Sequence, residues 1–455
     1  MPTNTPRGCA ECDRQTDELG RRRLISRRSF LRTSVGATAA TMVGLSSTAL
    51  TTRMAFASSP AYDGDVLVVL SMRGGFDGMS AIVPLGDPDY SAARPTIAVT
   101  PAQALPTGDS YWGLHPDLAP LKPWWDSGKF GAIHAVGAPD PTRSHFAATA
   151  EMERAAPGSS LRTGWLDRTL GLRPAAGVFQ GVALGDSLAP LSLAGPYDEL
   201  AFGRIDDFEL DGVWGNTPAE IKAEGDRWAK ALRTLHSGIP SLTGSADAVL
   251  GAVSTTRALK AAGYTASNGA VYPHTVTDGP YASSDLSAAL MDVARLIKAQ
   301  VGLQVVCLDY DDWDMHANLG NVGNGRFHDR ISEWAVCIEA FLTDLGPAGL
   351  DNLTMVTLSE FGRRVEENGD AGLDHGHGNV MMTFGGGVVG GQVHGAWPTL
   401  APDKLDDGDL AGTTDYRDVL AEALANRCRQ PMADLPRVFP NRGTFASVGA
   451  FTQKA

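Results

Sequence analysis

Four short apolar runs, each ending in a cluster of glycines, acids and histidines, constrain the fold of this chain more than any other feature. Residues 65–71 read D-V-L-V-V-L-S and stop at Arg73-Gly74-Gly75-Phe76-Asp77-Gly78. Residues 129–136 (K-F-G-A-I-H-A-V) lead into G-A-P-D-P-T-R-S-H-F at 137–146. Residues 303–308 precede D-Y-D-D-W-D-M-H at 309–316, and residues 352–358 precede the long loop 359–378. Continuous β-branched and Leu runs of this length mark strands buried on both faces. Helical patterns at 144–154, 285–300 and 325–345 alternate with them. The expected class is therefore α/β, a doubly wound, mainly parallel sheet sandwiched by helices. In such a sheet the loops that follow the strands share one edge, so ligands far apart in sequence converge there.

The chemistry lies in those loops. Between two apolar runs, residues 359–378 carry Glu360, Arg363, Asp374, His375 and His377. An Asp-His pair followed by His-x-His spacing, with small glycines between, suits a divalent metal better than it suits packing. The second signal is 309–316, where Asp309, Asp311, Asp312, Asp314 and His316 supply five acid or imidazole groups within eight residues. Carboxylates and imidazoles without cysteine favour Zn, Mn, Mg or Ca over iron–sulfur or copper centres. Asp77, at a strand's end among glycines, is a ligand candidate and equally a turn residue. Ser144 opens a helix, where backbone N–H groups and the dipole favour an anion or alkoxide; capping the helix is the competing role. Arg143 is placed to neutralise a phosphate or sulfate, and His145 to bind metal or move a proton. Glu360 is a further ligand, a partner of one, or a general base, and Arg363 holds an oxyanion or pairs with a carboxylate.

Charge and the N-terminus narrow the setting. The net charge is −14, yet residues 1–57 hold nine Arg against four acids, which leaves −19 on the remainder. A chain so acidic is a poor binder of nucleic acid or anionic lipid, and it favours small esters over polyanions as substrates. Residues 26–32 read S-R-R-S-F-L-R, a weakly apolar Ser/Gly/Ala-rich core follows, and A-F-A closes at 55–57. This is the pattern of a twin-arginine export signal over residues 1–57, with the export machinery as a partner and a periplasmic, cell-surface or secreted destination. No later run is long and apolar enough for a membrane span, so no stable span is expected in the mature chain. The C-x-x-C at Cys9 and Cys12 has no second pair to complete a zinc site, and with Cys307, Cys337 and Cys428 scattered the five cysteines give no disulfide framework. Residues 58–455 are expected to form the sheet-based domain, with 157–280 either an insertion or further helices of it.

The motifs R-G-G-F-D-G at 73–78, R-S-H-F at 143–146, W-D-M-H at 313–316, S-E-F-G-R at 359–363 and D-H-G-H-G at 374–378 resemble those of the domain of unknown function 1501 family. That family resembles a branch of the alkaline phosphatase-like superfamily, which includes sulfatases. The resemblance implies an alkaline phosphatase-like sheet and a metal site of Asp and His. It implies Asp77, Asp314, His316, Asp374 and His375 as metal ligands, with His377 or His394 as the last His and Asp312 as an alternative to Asp314. It implies Ser144 as the nucleophile. The expected activity is metal-dependent hydrolysis of phosphate or sulfate esters. The competing expectation is a non-catalytic extracytoplasmic binding or assembly protein with a structural or vestigial metal site.

Overall fold

The computed structural model describes residues 62–455, apart from 174–176, 186–187, 198, 211–214, 239 and 274–285. The N-terminal signal pattern lies outside the described residues. The strands of the main sheet, in chain order, are β1 (Val66–Met72), β2 (Phe130–Gly137), β3 (Gly181–Leu184), β4 (Leu200–Phe202) and β5 (Val305–Tyr310). They continue with β6 (Leu353–Leu358), β7 (Asn379–Gly385), β8 (Val393–His394) and β9 (Thr414–Asp415). Their spatial order is β8-β2-β7-β6-β1-β5-β3-β4, with β9 also on β2. β1 lies between β5 and β6, parallel to both, and β7 runs antiparallel to β6 and β2. Every other pairing is parallel. The sheet is thus mainly parallel with one reversed strand, as the run-and-cluster pattern predicts.

The helices include α1 (His145–Arg154), α2 (Trp165–Leu170), α3 (Pro218–Leu235), α4 (Pro240–Ala262), α5 (Leu286–Lys298), α6 (Arg326–Leu350) and α7 (Tyr416–Asn426). Alternation along β1 assigns the two layers, because successive side chains point to opposite faces. Val66, Val68, Leu70 and Met72 pack with Leu290 and Val293 of α5 and with Ile331 and Trp334 of α6. Leu67 and Val69 pack on the other face with Met152 of α1, Trp165 and Leu166 of α2, and Val419 and Leu420 of α7. A strand enclosed in this way needs apolar residues at every position, hence the unbroken run.

One element differs from the pattern. Helix α6 runs beyond 345 to Leu350, but only across a kink at Gly346, whose φ of 61° precedes Pro347. Residues 181–184 and 200–202 extend the sheet at its far edge, so part of 157–280 is built into it.

Parallel β1, β2, β5 and β6 deliver their carboxyl ends, and β7 its amino end, to a single edge. All four polar clusters therefore lie together. A cavity-forming substitution in the enclosed strand tests the two-layer core. Leu70, fully buried, replaced in Leu70→Ala should lower unfolding free energy by about 2–5 kcal/mol with an unchanged urea m-value. A loss well under 1 kcal/mol would contradict the packing.

Candidate metal centre

Each loop at this edge is built to bring one polar atom inward. After β1, Gly74 adopts φ of 109°, and a Cβ there would lie 2.7 Å from the Asp314 nitrogen, so only glycine lets the 73–78 and 309–316 loops touch. Loop 359–378 folds back on itself: Arg363 bridges His375, and Gly376 N–H donates to Gly362 O at 2.8 Å. A Cβ on Gly376 would sit 2.4 Å from the Arg363 carbonyl carbon, which explains the glycine between Asp-His and His. Arg363, 1% exposed, then ties the loops together. It donates to Gly75 O at 2.6 Å, Trp313 O at 3.0 Å, Leu373 O at 2.9 Å, Asp314 Oδ1 at 2.7 Å and also Gly74 O.

Four atoms meet where these loops cross. His375 Nε2 lies 3.0 Å from His145 Nε2, 2.9 Å from His316 Nε2 and 3.2 Å from Asp314 Oδ1. Asp314 Oδ1 lies 3.0 Å from His316 Nε2 and 3.6 Å from His145 Nε2. Each imidazole is oriented from behind through its other nitrogen. His145 Nδ1 donates to Glu360 Oε1 at 2.7 Å, His316 Nδ1 to Asp374 Oδ1 at 2.8 Å, and His375 Nδ1 to the Arg143 carbonyl at 2.8 Å. These partners can only accept, so Nδ1 carries the hydrogen and the Nε2 lone pairs face each other and a carboxylate. Three lone pairs and an anion in contact repel unless a cation lies among them. Acceptors behind ligating imidazoles are the usual setting of a metal-bound histidine. His145, Asp314 and His375 are close enough for one ion to bridge them, with His316 beside them. The residues fit a divalent metal.

The electrostatics agree. Burial works against the charge on Asp314, but hydrogen bonds with His145, His316 and His375 and the Arg363 charge hold its carboxyl far below the usual range. Burial likewise opposes the charge on His145, yet hydrogen bonds with Asp314 and Glu360 outweigh it and raise the imidazole to about 9. The hydrogen bond with Asp314 is the main cause that raises His316. Glu360 and Asp374 are lowered against the cost of burial, by His145 and His316 respectively. In the metal-free chain, protons occupy the role of the cation.

The other expected residues lie nearby in different roles. Both oxygens of Asp77 instead accept from Arg94, at 2.7 and 2.9 Å. Asp374 stands behind His316 rather than at the centre, and Asn368 Nδ2 donates to it at 3.1 Å. His377 points away, with Nε2 on Ala138 O at 2.9 Å. The alternative, His394 on β8, bonds Val389 O, and Asp312 pairs with Arg326. Glu360 is buried behind His145 and also accepts from Gly74 N–H at 2.9 Å. Ser144 caps α1 directly before His145, with a long 3.5 Å contact from Ala147 N–H. The Arg143 guanidinium pairs with Asp409 and Asp407, so its carbonyl, not its charge, serves the centre. Asn368, Asp409 and Arg94 carry no spacing signal in the sequence. Their partners are set only by the fold.

Residues 255–426 match the family model described as Protein of unknown function (DUF1501). The match spans the motifs at 313–316, 359–363 and 374–378, while those at 73–78 and 143–146 lie before it. No curated protein matches the chain. The crystal structure of PsFucS1 sulfatase from Pseudoalteromonas sp. is similar at 12% identity over 86% of this chain and 74% of that one, with a TM-score of 0.35. So slight a likeness carries no argument for chemistry. Among the described residues no helix is long and apolar enough to cross a membrane.

Metal must displace the proton that His145 holds up to about pH 9. Apparent zinc affinity, measured by chelator competition, should therefore rise about tenfold per pH unit for each proton released between pH 6.5 and 9. The metal-free fold shows the opposite trend. Its folded-state value lies above the unfolded one, so the stabilisation is complete below about 6.5 and is lost as pH rises through about 9. A zinc affinity independent of pH across this window would remove His145 from the ligand set.

Proposed function

We propose that the chain is a metal-dependent hydrolase of small phosphate or sulfate esters. The observation that carries this reading is the convergence of three imidazole Nε2 atoms and one carboxylate oxygen on an edge that is open on one side. Four protein donors can close a tetrahedral zinc site, so catalysis here would need the ion to accept a fifth ligand from the exposed side. Here the buried side is formed by His145 and His375, at 1% and 9% exposure, while the His316 and Asp314 side chains are 29% and 20% exposed. The three-nitrogen, one-oxygen donor set favours zinc over calcium or magnesium, which take mostly oxygen. A divalent ion held there supplies a Lewis acid for an ester oxygen.

The chain's own groups supply the rest of the proposal. Ser144, at the N-terminus of α1 beside His145, is the nucleophile: its oxygen bonds to phosphorus or sulfur as the ester oxygen departs and takes up the hydroxyl proton, and water later cleaves the new ester and returns a proton to the serine. The first-turn N–H groups of α1 favour the anion. Glu360 and Asp374 keep His145 and His316 aligned. Arg363 holds the 73–78, 309–316 and 359–378 loops in register. The chain is also proposed to be exported by the twin-arginine machinery and to act outside the cytoplasm, on the strength of the 26–32 and 55–57 motifs.

A second reading is a structural metal centre in an extracytoplasmic binding or assembly protein. The engagement of Arg143 by Asp407 and Asp409 favours it, since a neutralised guanidinium is a weak anion clamp. Turnover separates the two. Zinc- or manganese-loaded protein should hydrolyse an aryl phosphate or sulfate, and Asp314→Ala or His375→Ala should lower kcat/KM by at least about a thousandfold, in the range of losses from removed catalytic groups. Ser144→Ala should abolish turnover while retaining the metal. Metal-loaded protein inert to a broad ester panel, with a Tm that still falls on chelation, would establish the structural role.

A further inference from the structure

The family resemblance implies that the acid after the first strand, Asp77, is a metal ligand. The geometry around Asp77 points to a different arrangement. Asp77 lies at the carboxyl end of β1 with its side chain 3% exposed, facing Arg94, whose side chain is fully buried. The pair is bidentate, with Arg94 Nη1 on Oδ2 at 2.7 Å and Nη2 on Oδ1 at 2.9 Å. Arg94 is itself fixed by Val365 O at 3.0 Å, Arg364 O at 3.1 Å and Ser80 Oγ at 3.2 Å. The Arg363 guanidinium also acts on Asp77 and donates to the carbonyls of Gly74 and Gly75 in the same loop.

We infer that the centre holds a single divalent ion, and that Arg94 is the built-in cation for Asp77 in place of a second one. This rests on the metal-centre reading above and deepens it. Three observations bear on the charge balance. Among the described residues the only carboxylate at the converging atoms is Asp314, since Glu360 and Asp374 stand behind His145 and His316. The two oxygens of Asp77 are both committed to a guanidinium that has no route to solvent. A second dication beside Asp77 would meet two buried positive charges, Arg94 and Arg363, where low dielectric strengthens repulsion. A buried, bidentate Arg–carboxylate pair also resists replacement, because freeing either partner leaves an uncompensated buried charge.

Metal content decides the matter. Full-length protein saturated with zinc and passed over a desalting column should carry one ion per chain by elemental analysis and native mass spectrometry. In a titration with cobalt(II), the visible band should grow linearly and stop at one equivalent. Asp77→Asn leaves Arg94 buried without a counter-charge, so the double variant Asp77→Asn/Arg94→Gln is measured beside it. Either one, if folded by circular dichroism, should keep its one ion, whereas Asp314→Ala should lose it. Two equivalents in the wild type, or loss of the ion from the folded double variant, would overturn the inference while leaving the metal centre intact. No bound ion at saturation in the wild type would overturn both.

Discussion

Three imidazoles turned so that their Nε2 lone pairs face one another and the Asp314 carboxylate form the constraint on which the rest of this edge depends. The arrangement is costly without a positive charge inside it, and the chain maintains it from behind. Glu360, Asp374 and the Arg143 carbonyl each accept from an Nδ1–H, which fixes ring orientation and tautomer together. None of these three acceptors needs to touch an ion to be essential to it. Removing one would free a ring to rotate and dissolve the common focus.

Holding those acceptors in place is the task of the fold. The carboxyl ends of β1, β2, β5 and β6 bring four loops to one edge, but loops alone would not hold a four-atom focus. Arg363 does much of that work: it donates to carbonyls of the 73–78, 309–316 and 359–378 loops and to Asp314 itself. Behind it, Arg94 and Asp77 lock the start of the loop after β1 to residues 364–365. The site therefore sits on a buried, charge-neutralised platform. Glycines at 74 and 376 are needed because the loops approach within the radius of a side chain.

Much of this is legible in the sequence. Buried strands need unbroken apolar runs, so the strand positions and the shared edge followed from residues 65–71, 129–136, 303–308 and 352–358. Asp314, His316 and His375 stood out because acids and imidazoles are rare immediately after such runs. The roles within the cluster were harder to read. Spacing cannot tell a ligand from the residue behind it, since Asp374 and His375 are adjacent yet point to opposite ends of the same interaction. Asp77 met Arg94, 17 residues on, because both were buried together, and no local pattern announces that pairing. His377 looked equivalent to His375 by alternation, but its ring turned to Ala138 O. Helix α6 differs where Gly346-Pro347 sets a local backbone limit.

X-ray absorption at the zinc edge of the loaded protein addresses the central claim most directly. The account predicts a first shell of nitrogen and oxygen atoms at about 2.0 Å, with multiple scattering that fits three imidazoles and a carboxylate. That signal should fall to two imidazoles in His316→Ala. A shell containing sulfur, or one fitted by oxygens with fewer than two imidazoles, would contradict it.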